Sequence, residues 1–146
     1  MYYLKLSFIL LGFLFFTSQL ANAQVTAGLY TNGTFTQIGI GSNPEKKFFG
    51  EGRLFAGDYL INSFGFEALG QYNFQKSDWV NISGGLMLGY YEYVEGIRAG
   101  IPLLLAIKPI QNNRKFSVML EATPMYGHEM LALRGNFGLR YTLGGQ

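Results

Sequence analysis

The stretch WVNISGGLMLGYYEYVEGIRAGIPLLLAI, residues 79–107, holds two runs that alternate apolar with small or polar side chains, joined by a short polar connection. In the first run Val80, Ile82, Leu86, Leu88 and Tyr90 share one parity, and Trp79, Asn81, Ser83, Gly85, Met87 and Gly89 share the other. In the second run Ile97, Ala99, Ile101, Leu103, Leu105 and Ile107 face one way, with Arg98, Gly100, Pro102 and Ala106 opposite. Period two is the signature of a strand with one covered face. Strands in globular proteins run about 5 to 6 residues, so a hairpin with arms about twice that length and one apolar face predicts strands that cross a bilayer.

The same punctuation extends in both directions. Further runs cover residues 24–31, 34–41, 48–56, 60–74, 115–126 and 130–143, separated by short clusters of Gly, Asn, Asp, Ser and Pro, and no long helical period intervenes. Asn32-Gly33 is the preferred dipeptide of a two-residue type I′ turn. Eight antiparallel strands with both ends on one side are the minimum for a single-chain outer-membrane barrel. The expected fold class is therefore all-β, an eight-stranded antiparallel up-and-down transmembrane β-barrel.

The faces test this expectation, because a barrel in lipid turns its apolar parity outward and a soluble barrel hides it. Mid-strand charges all fall on the polar parity: Glu51, Arg53, Glu67, Arg98, Glu121, Arg134 and Arg140, three acids and four arginines without a lysine. Eight strands leave an interior just wide enough for side chains. The Gly-, Ser-, Asn- and Thr-rich parity fits that space, and the Phe-, Tyr-, Leu- and Ile-rich parity does not. An arginine facing lipid costs about 2 to 4 kcal/mol at the midplane, so the charged parity is expected inside, as a structural ion network. Arginine suits that setting because its planar fork grips carboxylates in pairs. Arg98 is expected to reach Glu67 or Glu121. Phe74, Trp79, Tyr90, Tyr91 and Tyr93 lie near strand ends, where interfacial girdles are found. Pro102 lacks an N–H and is expected to sit in a bulge.

Residues 1–23 carry the three parts of a signal peptide: Lys5, an apolar core over residues 6–16 and the small-x-small site Ala21-Asn22-Ala23. The core is too short for a spanning helix, which needs about 20 residues. The expected organisation is a signal peptide, 1–23, and one barrel domain, 24–146. Loss of Lys5 takes the formal charge from +2 to +1, so no global field recruits nucleic acid. Cysteine is absent, which excludes disulfides and thiolate metal sites. Charged residues make up 14% of the chain against about 25% in typical soluble domains, as befits a surface covered by lipid.

The segment Gly100-Ile101-Pro102-Leu103-Leu104-Leu105 resembles the Ile-Pro-Leu-Leu-Leu strand of the broad outer-membrane β-barrel domain family. The mature chain as a whole resembles the small eight-stranded barrels of Gram-negative bacteria, such as the membrane domain of outer-membrane protein A. The resemblance implies export to the outer membrane and insertion by the barrel-assembly machinery. Two features depart from the family: the chain ends Leu143-Gly144-Gly145-Gln146 instead of on an aromatic residue, and all connections are short.

Chemistry is sparse. The single histidine, His128, stands beside Glu129 with no serine within five residues. No catalytic residue, metal site or cofactor is expected, and eight strands are too few for an open porin, which needs about 16. The outward connections carry Asp58, Glu92, Glu95 and Glu129, an acidic rim expected to meet lipopolysaccharide phosphates through divalent cations. The opposite connections carry Glu45, Lys46, Lys47, Lys76, Asp78, Lys108, Arg114 and Lys115. The expected function is a small outer-membrane barrel with a structural or interaction role, its lumen plugged by the Glu/Arg network and its partners membrane lipids. Two alternatives are an outer-membrane lipid-modifying enzyme centred on His128 and a soluble exported barrel binding an apolar ligand.

Overall fold

A computed structural model describes residues 24–57, 64–92, 96–127 and 129–144; the expected signal peptide and His128 lie outside the described residues. Nine strand segments run in chain order: β1 (Val25–Thr31), β2 (Phe35–Ser42), β3 (Phe48–Gly57), β4 (Phe64–Lys76), β5 (Val80–Tyr91), β6 (Gly96–Gly100), β7 (Leu103–Ile107), β8 (Phe116–Gly127) and β9 (Met130–Leu143). Consecutive strands pair antiparallel except β6 and β7, which both lie between β5 and β8, and β1 pairs with β9. The sheet therefore closes on itself as a barrel of eight staves, one of them made of β6 and β7 end to end. β1 pairs with Phe137–Leu143 of β9, which closes the sheet as crossing lipid requires, and the earlier part of β9, Met130–Asn136, is paired with β8 alone.

The parities resolve as the lipid-facing arrangement requires. Leu133 is 76% exposed, Leu86, Ile97 and Phe48 each 71%, while Arg53, Glu67 and Glu121 are 1%, 2% and 4% exposed on the inner face. This is the reverse of a soluble barrel that encloses an apolar ligand. Inside, the apolar side chains gather in two clusters. Tyr30, Phe49, Leu104, Ala106 and Met119 form one apolar cluster and Leu69, Met87, Met125 and Ala132 another.

Three local readings are corrected. Pro102 interrupts the stave without a bulge, because the step from Gly100 to Leu103 is matched by Met87 to Gly84 on β5 and by Met125 to Ala122 on β8. Its carbonyl still accepts the Gly85 N–H at 3.1 Å, and the Ile101 N–H donates to the Pro124 carbonyl at 3.0 Å. Only the missing proline N–H groups break the ladder. The irregularity in register falls instead between Asn73 and Gln75 of β4. The first hairpin turn is centred on Gly33-Thr34: Gly33 has φ +88°, no other residue of that turn has positive φ, and the Asn32 side chain accepts the Thr34 and Phe35 N–H groups at 3.0 and 2.8 Å. Positive φ at the first central residue alone marks type II′ rather than I′. Tyr91 points inward, 3% exposed, and belongs to the lumen and not to a girdle.

Inward glycines make room for rings. A Cβ on Gly138 would come within 2.3 Å of the Tyr30 ring and one on Gly65 within 2.2 Å of the Phe55 ring. Between β4 and β5 the constraint is backbone: a Cβ on Gly85 would lie 1.9 Å from the Gly70 carbonyl oxygen, whereas one on Gly70 meets nothing within 4 Å. Gly85→Ala should therefore lower the unfolding free energy by about 3 kcal/mol, with Gly70→Ala within about 0.5 kcal/mol of the parent. Urea titrations in detergent measure the difference, and equal effects at the two positions would contradict this packing.

Candidate functional site: the ionic centre of the barrel

Residues 51 and 53 are two apart on β3, so both enter the lumen on the same face. Arg53 is the hub. Its Nε donates to Glu51 Oε1 at 2.6 Å, and its two terminal nitrogens donate to both oxygens of Glu121 on β8 at 2.9 and 2.6 Å. Its guanidinium also lies over the Tyr30 ring, 4.0 Å from the centroid. Arg140 on β9 donates to Glu51 Oε2 at 2.6 Å and to the Tyr30 hydroxyl at 3.2 Å, and that hydroxyl donates to Glu51 Oε2 at 3.0 Å. Thr123 and Asn136 complete the shell of Glu121 at 3.1 and 3.0 Å.

A second centre lies beside the first. Arg134 grips Glu67 with two nitrogens, one of them at 3.0 Å from Oε2. The Tyr91 hydroxyl and the Gln37 amide donate to Glu67 Oε1 at 2.7 and 3.2 Å. Arg134 also lies 3.7 Å from Glu121, which joins the two centres. Arg98 is buried on the inner face, its guanidinium 5.5 Å from the Tyr91 ring centroid and 3.9 Å from Met125 Sδ. The acids expected to receive it are instead held by Arg134 and Arg53.

Periodicity brings all seven charged residues to the inner face, but several of their partners escape a reading that follows charges alone. Tyr30 and Tyr91 share parity with inward glycines on their own strands, Gly28 and Gly89, and that phase is the signal that would find them. A further pair closes the end where the termini lie. Lys108, read from sequence as a rim charge, is 3% exposed and its Nζ donates to Glu45 Oε1 at 2.7 Å and to the Ser77 carbonyl at 3.0 Å. Asn81 also donates to Glu45, at 2.9 Å. Asn73 donates to the Pro44 and Lys46 carbonyls at 2.8 and 2.6 Å, which draws the connection after β2 over the barrel end. Among the described residues no three His, Asp or Glu side chains gather as a metal site.

A closed eight-stave barrel with an apolar exterior and a guanidinium–carboxylate interior is a small transmembrane barrel of the outer-membrane type. The chain is similar in fold to the outer membrane protein Ail of Yersinia pestis, whose backbone structure was determined in a phospholipid bilayer nanodisc. The two align with a TM-score of 0.54 at 11% identity, over 83% of this chain and 98% of that one. No family model and no curated protein matches the sequence.

Both arms of the Arg53 fork end on carboxylates shielded from solvent, with side chains 2% exposed or less. Removing one partner of a buried pair costs about 3 to 5 kcal/mol, since the other charge stays uncompensated. Arg53→Met should show a loss of that order in urea unfolding. Arg53→Lys, which restores the charge without the fork, should recover only part of it.

Proposed function

We propose that this chain is a small outer-membrane β-barrel of the Gram-negative cell envelope, delivered by a cleaved signal peptide, with a structural or interaction role and a lumen closed to solutes. The observation that carries this reading is the bridge from Arg53 to Glu121, made from β3 to β8 through the middle of the barrel. A pore needs a continuous aqueous path, and here guanidinium forks and aromatic rings occupy the section where it would run. Two apolar clusters, around Met119 and around Met87, occupy further parts of the interior. The likeness to an outer membrane protein studied in a bilayer supports the location.

A non-catalytic role is supported by the carboxylates themselves. Glu51, Glu67 and Glu121 each accept from at least one guanidinium and from a neutral donor. Carboxylates engaged by arginines and neutral donors in this way fit a structural ion network, which favours that role over acid–base chemistry.

Cell fractionation, gel migration and single-channel recording test the proposal together. The protein should fractionate with the outer membrane, and unboiled protein should migrate differently from boiled protein in detergent gels. In planar bilayers it should give no stepwise conductance. Recovery in the soluble periplasmic fraction would end the membrane reading, and a reproducible conductance step from folded protein would end the closed lumen.

A further inference from the structure

On the outer face of β3, β4 and β5 a groove of about 560 Å³ is lined by Ser42, Phe48, Gly50, Gly70, Tyr72 and Leu86. Its floor is open at Gly70, where even a Cβ would touch nothing. Toward the end that carries the termini it is walled by Phe48 and Tyr72, packed edge to face with ring centroids 4.9 Å apart. The Lys47 ammonium lies 5.4 Å from the Tyr72 ring centroid, above that wall, and Lys46 beside it is exposed.

The backbone that carries these lysines is fastened. Asn73 holds the Lys46 carbonyl through its side chain and donates its own N–H to the Lys47 carbonyl at 2.9 Å. The one acid in the segment, Glu45, is paired with Lys108 and adds no unpaired negative charge beside them. The result is a rigid cationic lip, an aromatic step and an apolar slot in sequence along the barrel wall. That is the order of parts in a phospholipid: anionic headgroup, interface, acyl chain. Neither this groove nor a larger outer one of about 780 Å³, around Leu103, Ala122 and Phe137, has a lysine or arginine in its lining; the smaller is distinguished by Lys47, which lies over its Tyr72 wall.

We propose that the smaller groove holds an acidic phospholipid of the leaflet at the terminal end of the barrel, its phosphate between Lys46 and Lys47 and one acyl chain over Gly50 and Gly70. This assignment rests on the membrane reading above. Zwitterionic lipid meets the same lip with a cationic headgroup and binds less well. Each lysine at an anionic surface strengthens attachment roughly fivefold.

Native mass spectrometry of the purified protein, released from micelles doped with phosphatidylglycerol or with phosphatidylcholine of the same acyl chains, tests it. The parent should retain phosphatidylglycerol at least about tenfold better. The double variant Lys46→Gln/Lys47→Gln should lose that preference, and Gly70→Leu, which fills the slot, should retain less of both lipids. Cold-gel migration and insertion into bilayers of either lipid verify folding of each variant. Parental retention of phosphatidylglycerol by the folded lysine variant, or by folded Gly70→Leu, would overturn the assignment while leaving the membrane reading in place. A parent that inserts into bilayers of neither lipid would overturn both.

Discussion

The bidentate contact between Arg53 and Glu121 is the interaction on which the rest of the barrel depends. It joins staves on opposite sides of the lumen, and through Glu51 and Arg140 it extends to β9, with Tyr30 of β1 bonded to both. Burying a guanidinium and a carboxylate is costly, and the cost is offset only when nearly every donor and acceptor is used. Here Glu121 receives Arg53, Thr123 and Asn136, and Glu67 receives Arg134, Tyr91 and Gln37. The neutral donors are therefore part of the ionic centre and not ornaments to it.

The interior follows a division of labour set by the surroundings. A soluble protein places its apolar side chains inside because water is outside, whereas a barrel in lipid has no such driving force between its wall and its lumen. Polar groups facing lipid have no partner, so charge and amide chemistry collect in the interior and hold the staves together. Apolar residues that do enter the lumen, such as Met87, Met119 and Leu104, gather in two clusters, and a cavity of about 300 Å³ stays open beside Met125 and Ala132. Inward glycines adjoin the large rings for the same reason: a narrow barrel has room for Tyr30 or Phe55 only where a neighbour has no side chain.

Much of this was legible in the chain. The alternation in residues 80–90 and 130–143 set the strand phases, and the seven mid-strand charges then had only one face to occupy. What the phase does not reveal is which acid meets which arginine. Arg53 and Glu67 are register partners on adjacent strands, yet Arg53 crosses to Glu121, 68 residues away, while Glu67 takes Arg134 from β9. That choice depends on strand tilt and on the reach of the fork, neither of which is written in a local pattern. Pro102 and the turn at Gly33 show the same limit at smaller scale. The residue types announced an interruption and a tight turn, but the register of the neighbouring strands decided that one carries no bulge and that the other starts one residue later. Lys108 was misread because a lysine in a connection is ordinarily solvated, and only the return of the Glu45 segment over the barrel end buries it.

The central claim is the orientation of the two faces, and it is tested most directly by paramagnetic lipid. With the protein in bilayer nanodiscs that contain doxyl-labelled lipid, side-chain methyl resonances should broaden for Leu86, Leu88, Ile97, Ile101, Leu103 and Leu133, which are exposed on the outer wall. Those of Met87, Leu104 and Met119, buried inside, should stay sharp, so that Leu103 and Leu104 behave oppositely although adjacent. Broadening of the second set with protection of the first, or no alternation along β5 and β7, would contradict the account.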